Sequence, residues 1–305
     1  MALSAGAVTR LIDELRETIA LEGPMSVARY MSLCLAHPRH GYYITRDPLG
    51  HSGDFTTAPE VSQMFGELVG LWAAGVWDGF GRPERIRLVE LGPGRGTLMA
   101  DAMRAARALP AFRKALSIHL VEISPTLRQR QQERLASLGI PVVWHDRIED
   151  VPAGGAEIIL ANEFFDALPI HQFIVKGGVW RERLVGLGEA GQLQLGVSET
   201  PASVPFAAAA EGDVRELCPA GLDVVASLAR RWQAGPGALL AIDYGYARPR
   251  SGDSFQALKG HRHADVLADP GEADLTAHVD FSALAQAARA AGLMVAPLLT
   301  QATLL

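Results

Sequence analysis

The sequence predicts an α/β protein built on a doubly wound, mostly parallel sheet, with a helical addition before it and a β-rich insertion within it. Three observations predict this. From residue 86 onward, apolar strand-like runs alternate with segments of helical period, the rhythm of parallel βαβ units. Residues 1–80 carry the helical period alone. At residue 171 the alternation stops, and short runs separated by glycine turns take over.

The elements follow in order. Val8, Leu11, Ile12, Leu15 and Ile19 recur at helical spacing and predict an amphipathic first helix. "HPRHGYYITRDPLGHSGDF" (37–55) reads as a loop. "TAPEVSQMFGELVGLW" then starts a helix, with Thr57 and Glu60 at capping-box spacing and Pro59 in the first turn. Val61, Met64, Phe65, Leu68 and Trp72 form its expected apolar stripe. "IRLVEL" is a strand and "TLMADAMRAARAL" a helix. "SIHLVEI" is a strand. The helix after it has Ser124 as cap, Pro125 first and Gly139 as terminator. "IPVVW" and "EIILANEFF" are strands. "HQFIVKGGVWRERLVGLGEAGQLQLGVSE" reads as an antiparallel insertion. "GLDVVASLARRWQ" is a helix and "GALLAIDYG" a buried parallel strand. Residues 246–278 read as a long polar loop, a kind that is usually functional or disordered. "DFSALAQAARAAG" is a helix, and "LMVAPLLTQATLL" is expected to begin a strand, with a closing partner missing.

Composition narrows the function classes. The chain has 305 residues, which suits one large α/β domain with additions, or two domains. Apolar residues make up 49% and charged residues 20%, as in soluble globular proteins. A net charge of −6 gives no broad footprint for nucleic acid. The most apolar window, 68–77, lies between Glu67 and Asp78 and is too short to span a membrane. The N-terminus lacks a signal peptide's uninterrupted apolar stretch, so a cytosolic protein is expected. Cys34 and Cys218 form no metal or redox pair. His261, His263, Asp265, His278 and Asp280 match no strong metal motif, so no metal is expected.

The chemistry starts at "VELGPGRGTL". Glu90, Gly92, Gly94 and Gly96 follow the first strand as E-x-G-x-G-x-G, not the G-x-G-x-x-G of nicotinamide and flavin proteins. The acid before the turn belongs to the pattern of S-adenosylmethionine methyltransferases. Glycines let a backbone approach the cofactor's amino-acid tail. Glu90 can receive its ammonium group, directly or through water. Glu122 ends the second strand, 26 residues beyond Gly96, where an acid can accept both ribose hydroxyls. Asp146 ends the third strand and can accept the adenine amino group.

The fourth strand runs into "NEFFDALP". Ligands of open α/β sheets bind outside the carboxyl ends of strands, which puts Asn162, Glu163 and Asp166 beside a methyl acceptor. A cationic acceptor such as arginine is repelled by a sulfonium, and paired carboxylates offset that repulsion by gripping the guanidinium. Phe164, Phe165 and Leu168 read as core, and capping or turn roles are open for Asn162 and Asp166.

"GDFTTAPEVSQMFGE", "VELGPGRGTL", "NEFFDALP", "DYG" and "DLTAHVDF", in this order, resemble the MidA-like family of S-adenosylmethionine-dependent methyltransferases, over about residues 22–301. The resemblance implies a class I methyltransferase (Rossmann-like) sheet, S-adenosyl-L-methionine as cofactor and a protein substrate. A mitochondrial relative dimethylates an arginine on a core subunit of respiratory complex I during its assembly. It also implies that Gly53, Thr57 and Glu60 form a wall near cofactor and acceptor, and that a further strand follows 298–301. The division expected is a helical region 1–80 packing on the core, a methyltransferase core of 81–170 and 222–305, and an inserted substrate- or partner-binding segment, 171–221. The location expected is the cytoplasm of a bacterium, or the mitochondrial matrix if the protein is eukaryotic. Oligomeric state is open. A small-molecule methyltransferase of this fold and a non-catalytic cofactor-binding assembly factor are the alternatives.

Overall fold

The computed structural model describes residues 10–46, 57–207 and 209–304. Helix α1 (Leu11–Glu22) buries Leu11, Leu15 and Ile19, as the spacing anticipates; Val8 lies outside the described residues. Strand β1 (Met25–Ser26) leads into α2 (Val27–Ala36), where the Ser26 hydroxyl accepts the Arg29 amide at 3.1 Å. One turn, α3 (Tyr42–Thr45), follows.

The expected helix from Thr57 is two helices, α4 (Ala58–Val61) and α5 (Gln63–Gly79), because Ser62 takes an extended conformation between them. The Thr57 side chain makes no cap bond. Glu60 reaches instead to the Thr97 hydroxyl. The break resets the helical phase: Val61 and Met64 face outward, and Phe65, Val69, Ala73 and Trp77 face the core.

The central sheet comprises β2 (Ile86–Leu91), β3 (Leu116–Val121), β4 (Val142–His145), β5 (Ala156–Asn162) and β10 (Gly237–Ile242), all parallel. Their order is β10-β5-β2-β3-β4, so the winding reverses between β2 and β5. Helices connect them: α6 (Thr97–Ala105) and α7 (Pro110–Ala115) after β2, and α8 (Pro125–Leu135) after β3. Ser124 caps α8 by accepting the Leu127 amide, and Gly139 ends the following turn at φ 64°. One face of the sheet packs Leu88, Ile118, Leu120 and Ile158 against α5 and α6. There α5 comes so close to α6 that a Cβ at Gly70 would lie 2.6 Å from the Ala102 carbonyl oxygen. The other face packs Val89, Ile159 and Ala161 against Leu228 of α9 (Pro219–Arg231).

After β5 the antiparallel strands β6 (His171–Lys176), β7 (Val179–Leu187), β8 (Leu193–Pro201) and β9 (Val214–Leu217) form a second sheet. β1 joins it by pairing with β7. The helices α1 and α2 thus share a core with Val185 and Leu193.

Residues 246–278 are not the loop the sequence suggests. β11 (Gly245–Tyr246), β12 (Gln256–Lys259), β13 (Arg262–Ala264) and β14 (Asp274–Thr276) lie there, and β15 (Val279–Asp280) pairs with β11. β12 and β13 form a hairpin whose two turn residues, Gly260 and His261, both have φ near 60°, the backbone of a type I′ turn. α10 (Phe281–Ala290) is capped by Asp280, whose carboxylate accepts the Ala283 amide at 3.0 Å. The strand expected from 293 does not form. Residues 293–300 have no regular structure, and α11 (Gln301–Leu304) is one helical turn. Met294, Leu298 and Leu299 are exposed, so that run gains no core face to set a strand's period. Among the described residues no helix is long and apolar enough to cross a membrane.

Candidate active site

The site lies at the carboxyl ends of the parallel strands, where β2 and β5 separate. Gly92, Gly94 and Gly96 all adopt left-handed backbone, with φ of 60°, 53° and 75°. The left-handed φ at Gly92 favours glycine, and a Cβ there would also press on the Phe164 ring at 3.2 Å. The turn is pinned to the next strand by the Gly92 amide, which donates to the Val121 carbonyl at 3.0 Å.

Two buried acids flank this turn. Glu90 is 2% exposed, and its Oε2 has no hydrogen-bond partner among the described residues. Burial, helped by the nearby Glu122, pushes its carboxyl up to about 8. Glu122 is also buried. Its Oε1 accepts the Ser124 amide at 2.8 Å and its Oε2 the Gln131 amide nitrogen at 3.2 Å. Burial raises it to about 7 against the pull of those bonds. Asp146 is different: it is exposed and ion-paired with Arg128, whose Nε also donates to the Glu122 carbonyl at 2.7 Å.

The second half of the site is the segment after β5. Glu163 has φ 49°, a left-handed backbone rare for a residue with a side chain. Its amide donates to the Ile242 carbonyl at 2.8 Å, which ties the turn to β10. Burial raises its carboxyl, opposed by the Asn162 side-chain amide and the Ala58 backbone amide. Asn162 Nδ2 donates to Glu163 Oε1 at 3.3 Å, while its buried Oδ1 has no partner among the described residues. Asp166 is raised by burial and by its neighbours Asp243, Asp274 and Glu163. Asn162, Glu163 and Asp166 thus stand together as the sequence suggests. Thr57 is buried at the start of α4, and Glu60 acts on the glycine turn through Thr97. Gly53 lies outside the described residues.

Sequence reasoning gave no role to Asp243, and the structure supplies one. Its Oδ2 accepts the Phe165 and Asp166 amides at 3.0 and 3.2 Å, and its Oδ1 the Tyr244 amide at 2.8 Å. One carboxylate therefore holds the turn after β5 and the end of β10 together. Tyr43, from α3, donates to Asp274, one of the acids beside Asp166, at 2.8 Å. The signal for Asp243 was its place at the carboxyl end of a parallel strand; Tyr43 had none.

The charge distribution is one-sided. At the amino ends of the strands, buried Glu157 meets Arg87 Nε at 3.3 Å, Arg231 Nε at 3.2 Å and the Trp232 indole at 3.2 Å. At the carboxyl ends, Glu90 is buried and Glu163 half-buried and, among the described residues, no cation is paired with them. Buried acids left in this state mark a place that receives cations.

A model of S-adenosyl-L-methionine-dependent methyltransferases matches residues 68–298. The chain belongs to this family. It is 41% identical over 300 residues to the zebrafish (Danio rerio) "Protein arginine methyltransferase NDUFAF7, mitochondrial", covering 90% of this chain and 71% of that one. The human protein of the same name is 37% identical over 308 residues, covering 92% and 69%. A Burkholderia thailandensis protein crystallised with S-adenosyl-homocysteine superposes with a TM-score of 0.79 at 30% identity, covering 92% of this chain and 76% of that one. The cofactor of the family, S-adenosyl-L-methionine, fits what is present. The left-handed glycine turn leaves backbone open to a ligand, and the unpartnered Glu90 Oε2 suits a cationic group.

One further cluster has metal-ligand spacing: Glu14, His37 and His40. The Arg39 amide donates to His37 Nδ1 at 3.3 Å, so the proton sits on Nε2, which donates to Glu14 at 3.1 Å. Arg39 also holds Glu14, at 2.9 Å. The cluster is a hydrogen-bonded clamp between α1 and the segment after α2.

Proposed function

We propose that this methyltransferase acts on an arginine of a protein acceptor, with Glu163, Asp166 and Asn162 receiving the guanidinium. The observation that carries the reading is the group of half-buried carboxyls, Glu163, Asp166 and Asp243, at the ends of β5 and β10, with no cation paired to them among the described residues. The name of the relatives points the same way.

In this reading Glu90 takes the cofactor's ammonium, Glu122 the ribose hydroxyls and Asp146 the adenine amino group. Thr57 and Glu60 form the wall beside it. The bound cofactor supplies an electrophilic methyl group on a sulfonium. The protein's task is alignment and charge. A guanidinium entering beside a sulfonium is repelled, and Glu163 with Asp166 offsets that repulsion through charge-assisted hydrogen bonds. The same carboxyls take up the proton that the guanidinium gives up. Asp243 fixes their backbone, and Asn162 sets the Glu163 rotamer.

The acceptor assigned, on the family resemblance, is a core subunit of respiratory complex I, dimethylated during assembly. The location follows from it: the cytoplasm of a bacterium or the mitochondrial matrix. Residues 81–170 and 222–305 make up the methyltransferase core, α5 of the preceding helical region packs on its sheet, and 171–221, which shares a core with α1 and α2, binds the acceptor protein.

The test is methyl transfer from tritiated S-adenosylmethionine to purified complex I core subunits, followed by amino-acid analysis for methylarginine. Glu163→Gln is expected to lower the rate at least about 100-fold while cofactor affinity stays within about twofold. Label on another residue type, or full activity in Glu163→Gln, overturns the assignment.

A further inference from the structure

We infer that Gln131 is a positioning residue of the cofactor site, orienting the glycine turn and Glu122 together through one amide. The inference rests on reading that turn and Glu122 as the cofactor's binding groups.

Gln131 lies on α8 and is fully buried, unusual for a glutamine in a helix otherwise rich in charge. Every polar atom of its side chain has a partner, and the partners come from three different elements. Nε2 donates to the Gly94 carbonyl at 2.7 Å and to Glu122 Oε2 at 3.2 Å. Oε1 accepts the Trp144 indole N–H at 2.8 Å. The glycine turn, the end of β3 and β4 are thereby joined.

The orientation of the amide is unique. An indole N–H only donates, and a carbonyl and a carboxylate only accept. Rotating the amide by half a turn would set NH₂ against N–H and oxygen against two oxygens. Trp144 therefore selects the orientation in which Gln131 gives both its protons to the site. The backbone is fitted to the same residue: a Cβ at Gly96 would stand 3.4 Å from Gln131 Cγ and 3.6 Å from its Cα. Helix α8 thus fills the space beneath the turn while the amide holds its middle carbonyl.

Two consequences follow for binding. The Gly94 carbonyl is tied to α8, which holds the middle of a turn whose three glycines are all left-handed. Glu122, meanwhile, receives a hydrogen bond that favours its charged form, the form that accepts two hydroxyls. A glutamine buried only to fill the core would affect folding alone. A positioning glutamine affects cofactor affinity, and does so in a pH-dependent way.

The experiment is calorimetric titration of S-adenosylmethionine into the full chain and its variants between pH 6 and 9. Gln131→Met keeps the length and removes all three bonds. Trp144→Phe removes only the donor that orients the amide. Glu122→Ala is the control. For Gln131→Met the expectation is at least tenfold weaker binding at pH 7, part of it recovered at pH 9, with kcat at saturating cofactor within about twofold. For Trp144→Phe a loss of three- to tenfold is expected. Folding is checked by circular dichroism, and Trp144→Phe carries the test if Gln131→Met does not fold. If Glu122→Ala weakens binding and neither folded variant does, the role given to Gln131 is overturned. If Glu122→Ala binds normally, the reading of the site beneath it has failed instead.

Discussion

If Glu90 faces the cofactor's ammonium group, cofactor affinity must depend steeply on pH. Without ligand, burial and Glu122 hold its carboxyl at about 8. An ammonium favours the carboxylate, so binding releases a proton, and acid weakens binding. A group with that value is about 1% ionised at pH 6 and about 9% at pH 7. Affinity should therefore rise about tenfold over that unit. Glu122, at about 7, adds up to about fivefold if the ribose hydroxyls prefer its charged form. Above about pH 8 the ligand's own α-amino group loses its proton, and the gain ends. The assay is calorimetry at pH 6, 7 and 8 in buffers of different ionisation enthalpy, which counts the protons released. Glu90→Gln should bind more weakly at pH 8 and keep at most the Glu122 part of the slope. A flat profile in the native chain, or an unchanged slope in Glu90→Gln, refutes the reasoning.

Other perturbations have defined outcomes. Glu90 also sets a stability trend: its folded value is raised, so the stability it gives below about pH 4.5 is lost as pH rises towards 8. Ligand-free Glu90→Gln should therefore gain melting temperature over the native chain at pH 8 and little at pH 4.5. Gly70→Val places side-chain atoms where a Cβ alone lies 2.6 Å from the Ala102 carbonyl, and should cost about 2–3 kcal/mol in urea unfolding. Gly75→Ala, on the same helix with open space around it, should instead stabilise by about 0.5–1 kcal/mol. Asp243→Asn sets an NH₂ donor against backbone amide donors that a carboxylate oxygen now accepts, and should cost about 1–3 kcal/mol. Faster hydrogen exchange at the Phe165 and Asp166 amides would report it.

The parts of the fold legible in the sequence are those with long, repeated patterns. The strands ending at Leu91, Val121 and Asn162 each carry a run of apolar residues and stop at an acid or polar group. That regularity exposed Glu90, Glu122 and Glu163 together. The hairpin β12–β13 was hidden because its strands have four and three residues, too few to show a period. Its turn also places His261, a residue with a Cβ, at positive φ. The phase of α5 was misread because a single extended residue, Ser62, restarts the helix. Within the site, position was readable and function was not. Asp243 follows a strand visibly, but its work depends on amides 77 and 78 residues away. Gln131 is one of three glutamines in four positions, and only burial separates it from Gln129 and Gln132.

Tyr43 and Asp274 meet across 231 positions of sequence, and Tyr30 reaches the Val266 carbonyl across 236. The glycine turn and the strands around it need only residues 86–162. As the chain leaves the ribosome, the glycine turn therefore has strands β2 to β5 complete more than a hundred residues before Asp274 is made. Pairings over such separations are slow to close. Of the contacts around the site, those of Tyr30 and Tyr43 are the ones that wait for the far half of the sequence.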